Sequence, residues 1–179
     1  MKVPIKKWTE REFSFGMPVW MAPLFVARLR GTPARAEALA RGLSLETLTH
    51  SADGTWSIQR NLGHLIDLEP LWRVRLEQVM DGDELMKPAD MSNRVTEEST
   101  HDSAPLKRLL ADFADGRQRF VAALCALEPS DWERSAFHAR LDVPMRILDL
   151  AYFVAEHDDH HLARMHEKKV EILGTQAAG

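Results

Sequence analysis

The chain has 179 residues, of which 45% are hydrophobic and 28% charged, with nine glycines and nine prolines; this is the balance of one folded domain, not of a disordered chain. Twenty-three Lys and Arg against 27 Asp and Glu give a formal charge of −4, and the basic residues are scattered, which argues against a phosphate-backbone footprint and hence a nucleic-acid partner. The single cysteine, Cys125, excludes an internal disulfide and, within FVAALCAL, reads as a buried, inert thiol.

Residues 1–17 mix aromatic and charged side chains without a sustained period and read as an arm packed on the body through Trp8, Phe13 and Phe15. Lys6, Lys7, Glu10 and Arg11 interrupt any signal-like order and no run reaches about 18 apolar residues, so a cytoplasmic protein with no membrane partner is expected. From Pro18 to Arg41 the composition is helical. Gly31-Thr32-Pro33 inside it predicts one kinked helix or two consecutive ones, with Thr32 as the second N-cap. Gly42 is placed as a left-handed C-cap residue, and SLETLTHSADGT reads as a connector ending in the turn Asp53-Gly54.

A long amphipathic helix over 57–80 is closed by Asp81-Gly82, and Pro70 within it predicts a kink or a missing hydrogen bond. Residues 83–101 form a polar loop. Pro105 opens a third helix to about Leu127, striped by Leu106, Leu109, Leu110, Phe113, Phe120, Val121 and Leu124. Residues 128–143 are a second connector without strand alternation, and Pro144 opens the final helix, which Gly174 ends, leaving 175–179 as a frayed tail. Four long helices and no strand predict an all-α four-helix bundle over residues 18–174.

Three of the eight histidines, His157, His160 and His161, fall within five residues. At about 100° per residue, His161 lies about 40° from His157, both in the middle of the last helix's apolar arc, while His160 falls on its flank. An i, i+4 pair can bring both imidazoles to one metal ion. His64 faces inward on the second long helix by the same reckoning. An unpaired buried polar group costs about 1–3 kcal/mol, and one cation shared by His64, His157 and His161 satisfies all three. Three nitrogen donors leave a coordination position open for water or substrate, as in a catalytic site. The competing reading makes the three ordinary hydrogen-bonded core histidines, and His50, His101, His138 and His166 read as solvated or locally bonded.

These segments resemble the DinB/YfiT-like superfamily of metal-dependent enzymes. WSIQRNLGHLID, Trp56 to Asp67, is similar to the family's Trp-Ser start with a histidine eight residues on. EHDDHHLARM, Glu156 to Met165, is similar to its last-helix His-x-x-x-His signature, and RLRGTPARAEAL and FHARLDVPMRILDL also look similar, so the resemblance spans about residues 24–172. Two features depart from the pattern: Arg60 stands where an acid often follows the Trp-Ser pair, and Pro70 interrupts the helix bearing His64. The resemblance implies an up-down-down-up bundle with one divalent cation, nickel or zinc first and manganese or iron next, on His64, His157 and His161. Relatives include thiol-dependent transferases such as bacillithiol transferases and mycothiol-dependent maleylpyruvate isomerase.

The expected function is a metal-dependent hydrolase or thiol transferase acting on a small molecule, with water or a low-molecular-weight thiol activated at the open position. His160 is the catalytic candidate for proton transfer, with Glu156 second. Asp67 or Glu69 could bond a ligand's other imidazole nitrogen, against the plain reading of solvated acids. A zinc peptidase is disfavoured because Asp158, not Glu, follows His157. The alternative is a non-catalytic, dimeric stress-response module that binds metal and pairs through Trp8, Trp20 and Phe25.

Overall fold

The computed structural model describes residues 3–51 and 54–176. Its helices are α1 (Ala22–Ala40), α2 (Leu45–Thr49), α3 (Ile58–Asp81), α4 (Arg94–Glu97), α5 (Leu106–Cys125) and α6 (Ile147–Gln176), with a hairpin of β1 (Ser135–His138) and β2 (Val143–Arg146) before α6. The four long helices make a four-helix bundle: α1 and α3 each pack on both α5 and α6. No described helix is long and apolar enough to cross a membrane.

Local chemistry explains most boundaries. Ser57 caps α3 by accepting from the Arg60 amide at 2.9 Å, and Gly82 ends that helix at φ +84°, a conformation that favours glycine. The acid missing at Arg60 is replaced from outside the helix: Asp102 accepts from the Ser57 hydroxyl at 2.5 Å and pairs with Arg60 at 3.2 Å. Gly42 takes φ +76° after α1, as expected. Both α1 and α3 run unbroken through their prolines, Pro33 and Pro70. Thr32 is therefore not an N-cap. Its hydroxyl bonds back to the Arg28 carbonyl at 3.1 Å and across to Asp158 at 2.9 Å.

Several expectations fail. The connector after Gly42 contains α2, capped by Ser44 accepting from the Thr47 amide at 3.1 Å. The second connector holds the β1–β2 hairpin, in which Phe137 pairs with Pro144. Pro144 thus lies in a strand, not at a helix start, and α6 begins three residues later. Gly174 does not stop α6 either, since the helix continues to Gln176. Residues 177–179 of the expected tail, and Asp53 of the expected turn, lie outside the described residues. Cys125 closes α5 with an exposed thiol that accepts from Arg30 at 3.4 Å; the apolar run continues past the helix end, so its last residue escapes the core.

The core is split in two. One apolar cluster gathers Phe25, Leu29, Trp72, Phe120, Leu124, Met145 and Phe153, and the other Ala36, Leu62, Leu65, Phe113, Leu162 and Met165. Between them each long helix contributes one buried polar residue: Thr32 from α1, Glu69 from α3, Arg117 from α5 and Asp158 from α6. Arg117 donates to Glu69 at 2.6 and 2.9 Å and grips both oxygens of Asp158. Gly116 makes room for this layer, because a Cβ there would stand 3.0 Å from Cγ of Glu69.

Candidate metal centre

The three expected ligands meet. His64 on α3 and His157 and His161 on α6 are all buried, and one ring nitrogen from each lies within 4.8 Å of the others. Ring centroids are 4.5 Å apart for His157 and His161, 4.7 Å for His64 and His161, and 5.3 Å for His64 and His157.

Hydrogen bonds at the far side of two rings fix which nitrogen is free. Thr96 donates its hydroxyl proton to Asp67 at 2.7 Å, so its oxygen accepts from His64 Nδ1 at 3.0 Å. The Asn61 side-chain oxygen accepts from His161 Nδ1 at 2.9 Å, while its amide donates to the Ser57 carbonyl at 2.8 Å. Both imidazoles therefore keep Nε2 as a lone pair. His157 differs: neither of its nitrogens bonds to a described residue, and Nδ1 is buried without a partner. Burial pushes the His64 pKa down to about 4 and those of His157 and His161 well below the usual value, with neighbouring histidines adding to the effect. Three neutral imidazoles with free lone pairs are a donor set that fits a borderline-soft divalent cation.

Three indoles wall the cluster. Trp56 lies 4.7 Å from the His64 ring and is held by Glu97 at 2.8 Å; Trp72 meets His157 at 5.6 Å; Trp8, from the segment before α1, meets His157 edge-on at 5.0 Å. That segment is tied to α6 by Arg11 to Glu156 at 2.5 Å. Over the histidines opens a cavity of about 680 Å³, reached also by Asn93 from the 83–101 loop and by Arg140 from the hairpin.

A family model of the DinB superfamily matches residues 28–165. The chain belongs to the DinB superfamily. Among solved structures it is similar to YfiT from Bacillus subtilis, described as "a probable metal-dependent hydrolase with an unusual four-helix bundle topology", at 19% identity and a TM-score of 0.78, over 92% of this chain and 94% of that one. No curated protein matches the chain. The stretch matched to the DinB superfamily contains the three histidines and the whole polar layer, whereas Trp8 lies before it.

The remaining candidates separate. His160 is buried on the cavity wall, its ring 5.1 Å from His161 and 5.8 Å from Trp8. Burial and the cations Arg164 and Arg11 lower its pKa to about 4. Glu156 turns away, held by Arg11 and by Arg28 at 2.8 Å. Glu69 and Asp158 belong to the Arg117 layer, so neither reaches one of the three clustered histidines. Asp67 reaches His64 only through Thr96, and its other contact is His101 at 3.0 Å. His101 and His138, set aside in the sequence, are both placed: the first supports Asp67, and the second lines the cavity. In a loop and a hairpin, neither carries a periodicity that could have pointed inward. Of the expected dimer contacts, Phe25 is buried and Trp8 is packed on α6, leaving only Trp20 exposed.

Proposed function

We propose that this chain is a metal-dependent enzyme acting on a small molecule, a hydrolase first, with one divalent cation, nickel or zinc before manganese or iron, held by His64, His157 and His161. The observation that carries the reading is the buried meeting of three imidazoles, two with Nδ1 committed and the third with no hydrogen bond to any described residue. A cation bound there supplies Lewis-acid activation of a nucleophile and of a substrate oxygen at its open position.

The chain's own residues do the rest. Thr96 and Asn61 hold the His64 and His161 rings in one tautomer and one orientation. Trp56, Trp72 and Trp8 restrict water around the cluster, which strengthens electrostatic effects inside it. His160 is assigned the proton transfer, being the cavity-lining base next to the ligands and free of an acidic partner. The cavity over the histidines favours catalysis over the alternative of a non-catalytic dimeric module, since a purely structural centre is closed.

Elemental analysis of the purified, untagged protein beside His64→Ala and His157→Ala tests the centre. About one equivalent of metal in the parent, lost in both variants, supports it; none after incubation with zinc, nickel, manganese and iron(II) sinks it. Screening the loaded protein against esters and amides, with and without low-molecular-weight thiols, then separates the chemistries. Turnover without thiol means hydrolysis, and turnover only with thiol means transfer. Metal without turnover returns the reading to the binding module.

A further inference from the structure

The same cavity has a basic end that the metal reading leaves unused. Arg75, on α3 one turn beyond Trp72, is only 2% exposed. Its Nε donates to the Lys87 carbonyl at 2.9 Å and its guanidinium lies 5.4 Å from the Trp72 ring. Among the described residues neither Nη has a hydrogen-bond partner and no carboxylate pairs with the guanidinium. Arg140, at the hairpin turn, has its guanidinium 5.8 Å from the Phe153 ring and likewise no acidic partner among the described residues. Burial, with Arg140 adding to it, lowers the Arg75 pKa to about 10. A buried guanidinium with no carboxylate, facing a second guanidinium that lines the same chamber, is costly unless an anion joins them.

His138 completes the group. Strand alternation turns it inward from β1, and its Nδ1 accepts from the Leu141 amide at 3.3 Å. Nε2 therefore carries the proton and is a third donor. These three residues line both the main cavity and a side chamber of about 130 Å³, whose other walls include Met86, Pro88 and Met91. The chamber exists because Leu85 bridges to Phe137, laying the 86–91 segment against the hairpin. Asp90, an acid that lines the main cavity, is consumed by its own turn, accepting from Ser92 and from the Arg94 amide at 3.0 Å.

We propose that Arg75, Arg140 and His138 form an anion subsite that seats a carboxylate of the substrate in this side chamber while the reacting bond lies over the three histidines. The inference rests on the cavity being the substrate site, as proposed above. A planar carboxylate matches a guanidinium fork. The chamber's methionine and proline walls favour a singly charged group on an apolar stem over a phosphate, whose second charge is costlier to strip of water.

The test is titration calorimetry with benzoate, its neutral isostere benzamide, and inorganic phosphate, on the purified protein and on His64→Ala, Arg140→Gln and Arg75→Lys. The expected result is benzoate binding in the parent and in His64→Ala, weakened about tenfold or more by Arg140→Gln, with benzamide not binding. Arg140 is exposed at the turn, so its variant folds even if the Arg75 variant does not, and it decides the question alone. Benzoate binding that ignores Arg140→Gln, benzamide binding as well as benzoate, phosphate binding more tightly than benzoate, or no binding at all overturns the proposal. Benzoate binding lost in His64→Ala but not in Arg140→Gln places the carboxylate at the metal, overturning the subsite and sparing the metal reading. Arginine-dependent binding to a protein that holds no metal supports the subsite and sinks the metal reading alone.

Discussion

Arg117 and Asp158 face each other as a two-point guanidinium–carboxylate pair with side chains 1% and 0% exposed, one residue along the chain from His157. The same guanidinium takes Glu69 from α3 and, through Asp158, is linked to Thr32 on α1. A single arginine thus joins all four long helices at the level of the three-histidine cluster.

Arg117→Met is expected to leave two buried carboxylates without a cation. Breaking a buried ion pair in this way costs about 3–5 kcal/mol, and urea unfolding of the variant should show a loss of that order. Asp158→Asn keeps Arg117 paired with Glu69 and should cost less. Equal stability of Arg117→Met and parent would mean that the layer is not a source of stability.

Metal removal should lower the melting temperature, and adding back the right cation should raise it with concentration, because a ligand of the folded state alone stabilises it by about 2.7 kcal/mol at a hundred times its Kd. In His157→Ala the response should vanish. His160→Ala should keep the metal response but lose turnover, by about 10²-fold if it transfers the proton. A scanning-fluorimetry series with each cation, read beside the turnover assay, separates the two histidines' roles.

Thr96→Val removes the link between His64 and Asp67 without touching a ligand. Loss of such a supporting bond typically weakens metal affinity by about 10–100-fold, and competition with a chromophoric chelator measures it. Thr96→Ser, which keeps the hydroxyl, should restore most of the affinity.

His138 carries a pH dependence of stability. Burial, with Arg75 and Arg140, holds its folded pKa at about 4, below the usual 6.5. Between those values the unfolded chain binds a proton that the folded chain refuses, so stability is full above about pH 6.5 and falls as the pH drops toward 4. The contribution is on the order of 3 kcal/mol at most. Urea midpoints across this range, for metal-free protein, should fall less steeply in His138→Gln than in the parent.

Gly63 should not tolerate a side chain. A Cβ there would collide with the His101 ring, which Asp67 pins in place, and overpacking of this kind costs about 1–3 kcal/mol. His101→Ala in the same chain should recover part of that loss, and a double-mutant cycle on unfolding free energies reads the coupling.

The helices and the three inward histidines were legible in the sequence because each rests on a period: the apolar stripes of α3, α5 and α6 place His64, His157 and His161 on the buried face without reference to any partner. Residues placed by loops were not legible. His138 faces the cavity because a four-residue strand turns it inward and the Leu85 bridge covers it, and neither contact leaves a pattern in a segment as short as Ser135–His138. Glu69 was misjudged for another reason. The helical period shows which face a residue takes but not what waits on that face, and Arg117, 48 residues away, holds in the core an acid whose plain reading was a solvated one. At the prolines, α3 is one helix through Pro70, as expected, and α1 takes the one-helix alternative through Pro33, so only the Thr32 cap fails; packing on both sides outweighs one lost hydrogen bond.

The split core also bears on how the chain selects one fold from many. Four amphipathic helices with aliphatic stripes could align in several ways of similar apolar burial, each differing by a turn of about 5.4 Å. Only one alignment brings Thr32, Glu69, Arg117 and Asp158 to a common height; any slip sets a charge against leucine. Because Asp158 and His157 are neighbours on α6, the alignment that neutralises the charges is also the one that aims the imidazoles at one another. In this bundle, the penalty against misfolding and the assembly of the histidine cluster are a single event.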